Sequence, residues 1–302
     1  MTTTLQPLKP AGAGSPLRSR KQLNACEVVC ICGGVGYPYG SGSPARITVV
    51  GKALQEAGMR FRLLHCGPSP NPRNTERRGT HEGVAFEYTS GVKRPDNPLA
   101  RALVYLWAVA GVTWKLIQLR RQRERTAIWL YIFEASMNLY LSTLCRLLGL
   151  PVILELCEWW PSEVTYCSRF TKWAHEGPMF ASATGALVIS RLIGQRVVRN
   201  SAGVNPNILV HRLPAIVDST RFASPAAKTS PWFVWCGGEL WIDDVHFLVR
   251  AVAAAKRQGF DCPLLIVGTF SPTQRARVMR SEERRVGKEC RIRCRSRWSP
   301  YH

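Results

Sequence analysis

Between Val28 and Gly58 the chain runs from an apolar stretch into a glycine-rich loop and on into an amphipathic segment. Val28-Val29-Cys30-Ile31-Cys32 is apolar throughout, and Gly33-Gly34-Val35-Gly36-Tyr37-Pro38-Tyr39-Gly40-Ser41-Gly42-Ser43 follows. Ile47, Val50, Leu54 and Ala57 then recur at helical spacing. The pattern predicts a buried strand, a loop and a helix. Ser43 suits the cap, Pro44 the first turn and Gly58 the end of that helix. A glycine loop entering a helix presents free N–H groups and a positive dipole end, which suits an anion such as a phosphate. The same pattern also serves as the first turn of any α/β domain. A dinucleotide fingerprint needs G-x-G-x-x-G and an acid about 20 residues on. Here Gly34 to Gly40 is one residue too long, and the second strand ends at His65-Cys66 without an acid. No Gly-Lys-Ser/Thr ends the loop. The loop therefore favours an anion without favouring NAD or ATP.

Further strands are predicted at Arg60 to Cys66, Val84 to Tyr88, Ala127 to Ile132, Pro151 to Leu156, Gly185 to Ile189 and Asn207 to Val210. Gly67 to Gly83 reads as a polar loop, Ala135 to Leu148 as a helix ended by Gly149, and Ser190 as the cap of a helix to about Asn200. Alternating strands and helices imply a parallel sheet covered on both faces. Phe222 to Ser230, rich in Ser, Pro and Ala, is the expected linker. A second α/β unit begins at Trp232-Phe233-Val234-Trp235-Cys236, with a helix from Asp243 and a strand at Pro263 to Gly268. Leu99 to Leu119 is strongly apolar, carries Trp107 and Trp114, and runs into Arg120, Arg121, Arg123 and Arg125. Arg101 and Lys115 interrupt it, and about 18 apolar residues is the lower limit for a membrane span. It reads first as a long domain helix, next as a membrane-surface helix with a basic flank, and last as a span.

With 302 residues the chain is long enough for two domains, and its formal charge of +21 points to anionic partners such as nucleotide-sugars or acidic lipids. No nucleic-acid module accompanies the charge, so no nucleic-acid partner is expected. Met1 to Asn24 lacks the apolar core of a signal peptide and is expected to be a disordered leader. Of the 11 cysteines, the nine from Cys26 to Cys262 form no C-x-x-C pair, and several lie in apolar strands. They read as reduced, buried thiols of a cytoplasmic protein.

In order and spacing, the chain from Cys26 to Gly268 resembles glycosyltransferase family 4, of the two-domain GT-B fold. The resemblance rests on the loop and helix from Gly33 to Gly58, Glu158 after the fifth strand, Ala186-Leu187-Val188-Ile189-Ser190, and Leu213-Pro214-Ala215-Ile216-Val217-Asp218 with Phe222. Trp235-Cys236-Gly237-Gly238-Glu239-Leu240 and Leu264-Leu265-Ile266-Val267-Gly268 complete it. It implies two Rossmann-like domains and retaining transfer of a sugar, such as a hexose, from a nucleotide-sugar to a glycan or lipid-linked acceptor. It implies no bound metal and no cofactor. Envelope or exopolysaccharide synthesis, in the cytoplasm or at the inner membrane face, is the implied setting. Gly34, Gly36, Gly238, Glu239 and Asp244 then fall at the donor, and Arg46 and Glu158 at the acceptor. The chain departs from the family where cations would clamp the diphosphate. Glu239 follows Gly238, Asp243-Asp244 stands where a lysine is expected, and Ile132-Phe133-Glu134 lacks the histidine common there. Carboxylates beside a diphosphate repel it, so a non-catalytic relative binding nucleotide or glycan is the alternative reading.

The expected layout is a leader over 1–24, an acceptor-side domain over 25–218, a linker over 219–230, a partial donor-side domain over 231–280 and a non-native tail over 281–302. That tail has no apolar periodicity and no strand pattern, and resembles a translated sequencing adapter. On this reading the second domain is cut short, and this copy is expected to be inactive.

Overall fold

The structure, a computed structural model, describes residues 26–40, 42–122, 124–159, 169–216, 233–238, 242–260, 263–269, 273 and 291–292. The expected leader, the linker, Glu239, Cys167, Cys262 and nearly all of 281–302 lie outside the described residues. The chain divides into two compact units, Met1–Arg221 and Phe222–His302.

The first unit is built on β1 (Cys26–Gly33), α1 (Gly42–Glu56), β2 (Arg60–His65), β3 (Arg78–His81), β4 (Val84–Tyr88) and α2 (Pro98–Arg121). It continues through β5 (Arg125–Ile132), α3 (Ala135–Leu147), β6 (Val152–Leu156), α4 (Arg169–His175), β7 (Gly185–Val188), α5 (Arg191–Ser201) and β8 (Leu209–Arg212). Its eight strands lie in the order β3-β4-β2-β1-β5-β6-β7-β8. Every pairing is parallel except β3 with β4. Burial on both faces explains why β1 and β5 read as continuous apolar runs rather than alternating ones. Val29 and Ile31 join Leu130, Val112, Leu116 and Val197 on one side. Val28, Cys30 and Cys32 join Ile47, Phe61 and Trp129 on the other. Ser190 caps α5 as expected, its hydroxyl accepting from Ile193 N at 3.2 Å.

Two features depart from the sequence reading. The loop expected over Gly67 to Gly83 contains β3, which has no apolar alternation to betray it. Glu82 and Gly83 both have positive φ, 49° and 82°, as a tight hairpin turn requires. An Arg78–Glu87 ion pair at 2.8 Å ties the two strands. The short α4 and a 3₁₀ turn at Pro178–Phe180 were likewise not read from the sequence. They bury Ala174, Met179 and Phe180.

The second unit has β9 (Phe233–Gly238), α6 (Ile242–Arg257), β10 (Leu264–Thr269) and β11 (Arg291–Ile292), with strand order β11-β10-β9, all parallel. Val245, Val249, Leu264 and Ile266 form its core. The stretch 281–302 was expected to hold no strand, yet Arg291–Ile292 pairs with Leu265 and Ile266. A sheet edge offers unpaired N–H and C=O groups that an extended segment can join through backbone alone, whatever its side chains.

Candidate functional site

Open parallel sheets bind ligands beyond the carboxyl ends of their strands, where the strand order reverses. In the first unit the order reverses between β1 and β5, whose last residues Gly33 and Ile132 lie side by side. Gly34 is the first residue past β1, exposed, with φ of +74°. Glu134 lies two residues past β5 and opens α3 without a capping bond from its side chain. Its carboxylate Oε1 is 3.0 Å from where a Gly34 Cβ would stand. An exposed carboxylate and bare backbone thus share the switch point. A carboxylate repels a phosphate but accepts readily from hydroxyl groups.

The rest of the glycine loop folds inward. Tyr37 exchanges two bonds with the Tyr88 hydroxyl, N–H to Oη at 3.2 Å and Oη–H to the Tyr37 carbonyl at 2.5 Å. Tyr39 N donates to Asn74 Oδ1 at 2.9 Å, and Asn74 Nδ2 donates to the Tyr39 carbonyl at 2.8 Å and to Ser69 Oγ at 2.7 Å. Gly36 is buried against this staple. The structure therefore separates two glycines expected to act together: Gly34 faces outward and Gly36 lets the loop close on itself.

His65, fully buried and stacked on Tyr88 at 4.3 Å, fixes the loop from below. Its Nδ1 meets the Gly67 carbonyl at 2.8 Å and its Nε2 meets the Val35 carbonyl. Burial lowers the His65 pKa against the upward pull of those two carbonyls, and burial likewise lowers that of His175. The unfolded chain then binds protons that the fold resists, so these two histidines lower stability as pH drops below about 6.5. The expected result is a lower thermal midpoint at about pH 5.5 than at about pH 7.5, with a smaller drop in His65→Gln. An unchanged or higher midpoint in acid would contradict it.

Arg46 was expected at the acceptor. Its guanidinium is instead inside the fold, with the side chain 8% exposed. Nε donates to Glu155 Oε1 at 2.9 Å, Nη1 to the Pro214 carbonyl at 2.6 Å and Nη2 to the Leu213 carbonyl at 2.7 Å. Glu155 Oε2 accepts from Trp129 Nε1 at 3.0 Å, and Oε1 from Cys157 Sγ at 3.3 Å. Burial pushes the Glu155 pKa up, and Arg46, Cys157 and Trp129 pull it back only in part. This knot ties α1 to β6 and to the Leu213-Pro214 segment.

The remaining candidates are spread out. Glu158 is exposed, two residues past β6. Gly238 ends β9, paired with Thr269. Asp244 is exposed in the first turn of α6. Among the described residues no group of three His, Cys, Asp or Glu could hold a metal ion. Cys30, Cys32, Cys66 and Cys145 are buried free thiols, and burial pushes Cys66 and Cys145 up to about 12. Sequence reasoning missed Glu155, Glu134, His65 and Asn74. Only Glu155 carried a usable signal, because an acid inside the apolar run Val152–Leu156 demands a partner.

No protein-family model matches the chain, and no curated protein matches it in sequence. Solved structures match it in fold: mixed α/β with a large parallel sheet, the architecture of the GT-B glycosyltransferases. Anabaena Alr3699/HepE in complex with UDP is similar at a TM-score of 0.58 and 13% identity, over 89% of this chain and 70% of that one. Phytolacca americana UGT2 complexed with UDP-2-fluoro-glucose and pterostilbene is similar at 0.53 and 14%, over 90% and 71%. The E. coli trehalose-6-phosphate structure bound with UDP-2-fluoro-glucose is similar at 0.56 and 11%, over 91% and 74%. At such identities the fold is what they share with this chain.

Proposed function

We propose that this chain handles a nucleotide-sugar, transferring its sugar to a glycan or lipid-linked acceptor with retention and without a metal or cofactor. Its setting is the cytoplasm. The observation that carries the reading is the switch point of the first unit, where the Glu134 carboxylate lies against the exposed backbone of Gly34, 3.0 Å from where a Cβ would stand. Solved structures of this fold hold UDP and UDP-sugars, which supports the donor class. In this reading the switch point takes sugar hydroxyls, with Glu134 accepting a hydroxyl proton and orienting that oxygen. Arg46 acts at a distance, by holding α1 and Leu213-Pro214 in place. Glu158, exposed beyond β6, is a further acceptor contact.

Asp244 favours a second reading, a relative that binds without turnover. A carboxylate exposed in the first turn of α6 opposes a diphosphate there. Thermal shift with UDP-, GDP- and ADP-linked sugars, followed by transfer assays with hexose acceptors, separates the two. Binding with turnover selects the transferase reading and overturns the expected inactivity of this copy. Glu134→Gln should then lower turnover roughly 10²-fold while leaving the thermal midpoint unchanged, because Glu134 is exposed. Binding without turnover selects the second reading. No shift with any nucleotide-sugar ends the transferase reading and leaves the second only as a glycan binder.

A further inference from the structure

α2 is apolar on two opposite faces. Its inner face, Ala108, Val112, Leu116 and Leu119, packs into the sheet core with Val29 and Ile128. The outer face carries Leu99, Ala102, Leu103, Leu106, Trp107, Ala110 and Trp114, a continuous stripe at helical spacing. Leu99 is 78% exposed, Leu103 67%, Leu106 66%, Trp107 68% and Trp114 52%. Isolated exposed apolar residues need no account, but a stripe along a helix about 36 Å long does. Tyr140 of α3 widens the patch, its hydroxyl meeting Thr113 Oγ1 at 2.8 Å.

The charges around the stripe decide what covers it. Exposed Arg120, Arg121 and Arg125 lie at its C-terminal end, and Arg121 stacks over Trp114 at 5.8 Å. Exposed Lys93 and Arg94 lie just before its N-terminal end. Of the neighbouring acids, Glu87 pairs with Arg78 and Lys115 and Glu124 with Arg60, while exposed Asp96 sets one carboxylate against Lys93 and Arg94 before the helix. A second copy docking stripe to stripe would bring basic ends together in either direction. A sheet of anionic headgroups complements both ends, and tryptophans suit the boundary between headgroup and acyl chain.

We propose that the outer face of α2 docks the protein on an anionic membrane surface, with the helix lying in the interface plane. The helix does not span the bilayer, because its inner face would have to leave the sheet core. This docking does not depend on the transferase reading.

The test is sedimentation of the full chain with vesicles of phosphatidylcholine alone or mixed with phosphatidylglycerol, at low and high salt. Binding to the anionic vesicles, weakened severalfold by salt, is expected. Leu103→Glu/Trp107→Glu should reduce that binding roughly tenfold or more. Both side chains are exposed, so its circular dichroism and thermal midpoint should match the parent. Tryptophan quenching by brominated lipid should fall with it. Absent binding at low salt, or equal binding by the variant, overturns the proposal. So does concentration-dependent dimerisation that the variant abolishes, which would make a second copy the occupant.

Discussion

Replacing Arg46 with alanine is expected to cost the first unit about 3–5 kcal/mol of stability. The change strands the Glu155 carboxylate, whose side chain is 1% exposed, with only Trp129 and Cys157 as partners. It also strips the Leu213 and Pro214 carbonyls of their donors. The loss should depend on pH. Without Arg46 the Glu155 pKa rises further above its unfolded value of about 4.3. The folded variant then binds a proton that the unfolded chain does not, so its stability falls as pH rises through that window. The deficit against the parent should therefore shrink in acid. Arg46→Leu/Glu155→Leu should lose less than Arg46→Ala, because no unpaired charge remains buried. Denaturant unfolding of the three proteins at two pH values checks this. An Arg46→Ala loss below about 1 kcal/mol would mean that the knot is not structural.

Gly36→Ala should deform the glycine loop and cost about 1–3 kcal/mol. A Cβ there would stand 2.6 Å from the Tyr39 carbonyl oxygen, 2.8 Å from Asn74 Nδ2 and 3.0 Å from Ser69 Oγ. A backbone oxygen held by Asn74 cannot swing aside as a free side chain can. Gly34→Ala acts differently. Its strain comes from φ of +74°, about 1–2 kcal/mol for an L-residue, and its nearest atom belongs to the exposed side chain of Glu134, which has room to turn away. Gly36→Ala should therefore lower the thermal midpoint and any nucleotide-sugar binding together. Asn74→Ala should reproduce part of the drop by releasing the same loop. A Gly36→Ala protein with an unchanged midpoint would show that the loop is not held as the hydrogen bonds imply.

The sequence by itself determined the succession of strands and helices in the first unit except β3, α4 and the 3₁₀ turn, because the rest is written in local periodicity. Runs such as Val28–Cys32 and Ile128–Ile132 are apolar at every position since both faces are covered, and Ser190 is a cap wherever its helix packs. The reach from Gly33 to the helix at Gly42 was equally local. What the tertiary structure decided lies in contacts far apart along the chain. Arg46 meets Glu155 across 109 positions and Pro214 across 168, so nothing near Arg46 could tell an internal strut from a ligand contact. Gly34 and Gly36 look alike in a glycine-rich loop. Only Asn74 and Glu134, brought from segments outside the loop, make one internal and the other open. β3 carries no apolar alternation, so its place depended on a turn and a neighbouring strand. The Leu99–Leu119 run was visibly apolar, but periodicity cannot distinguish a face buried on a sheet from one left uncovered. That distinction arises when the sheet takes the Ala108–Leu119 side and leaves Leu103, Leu106, Trp107 and Trp114 outside.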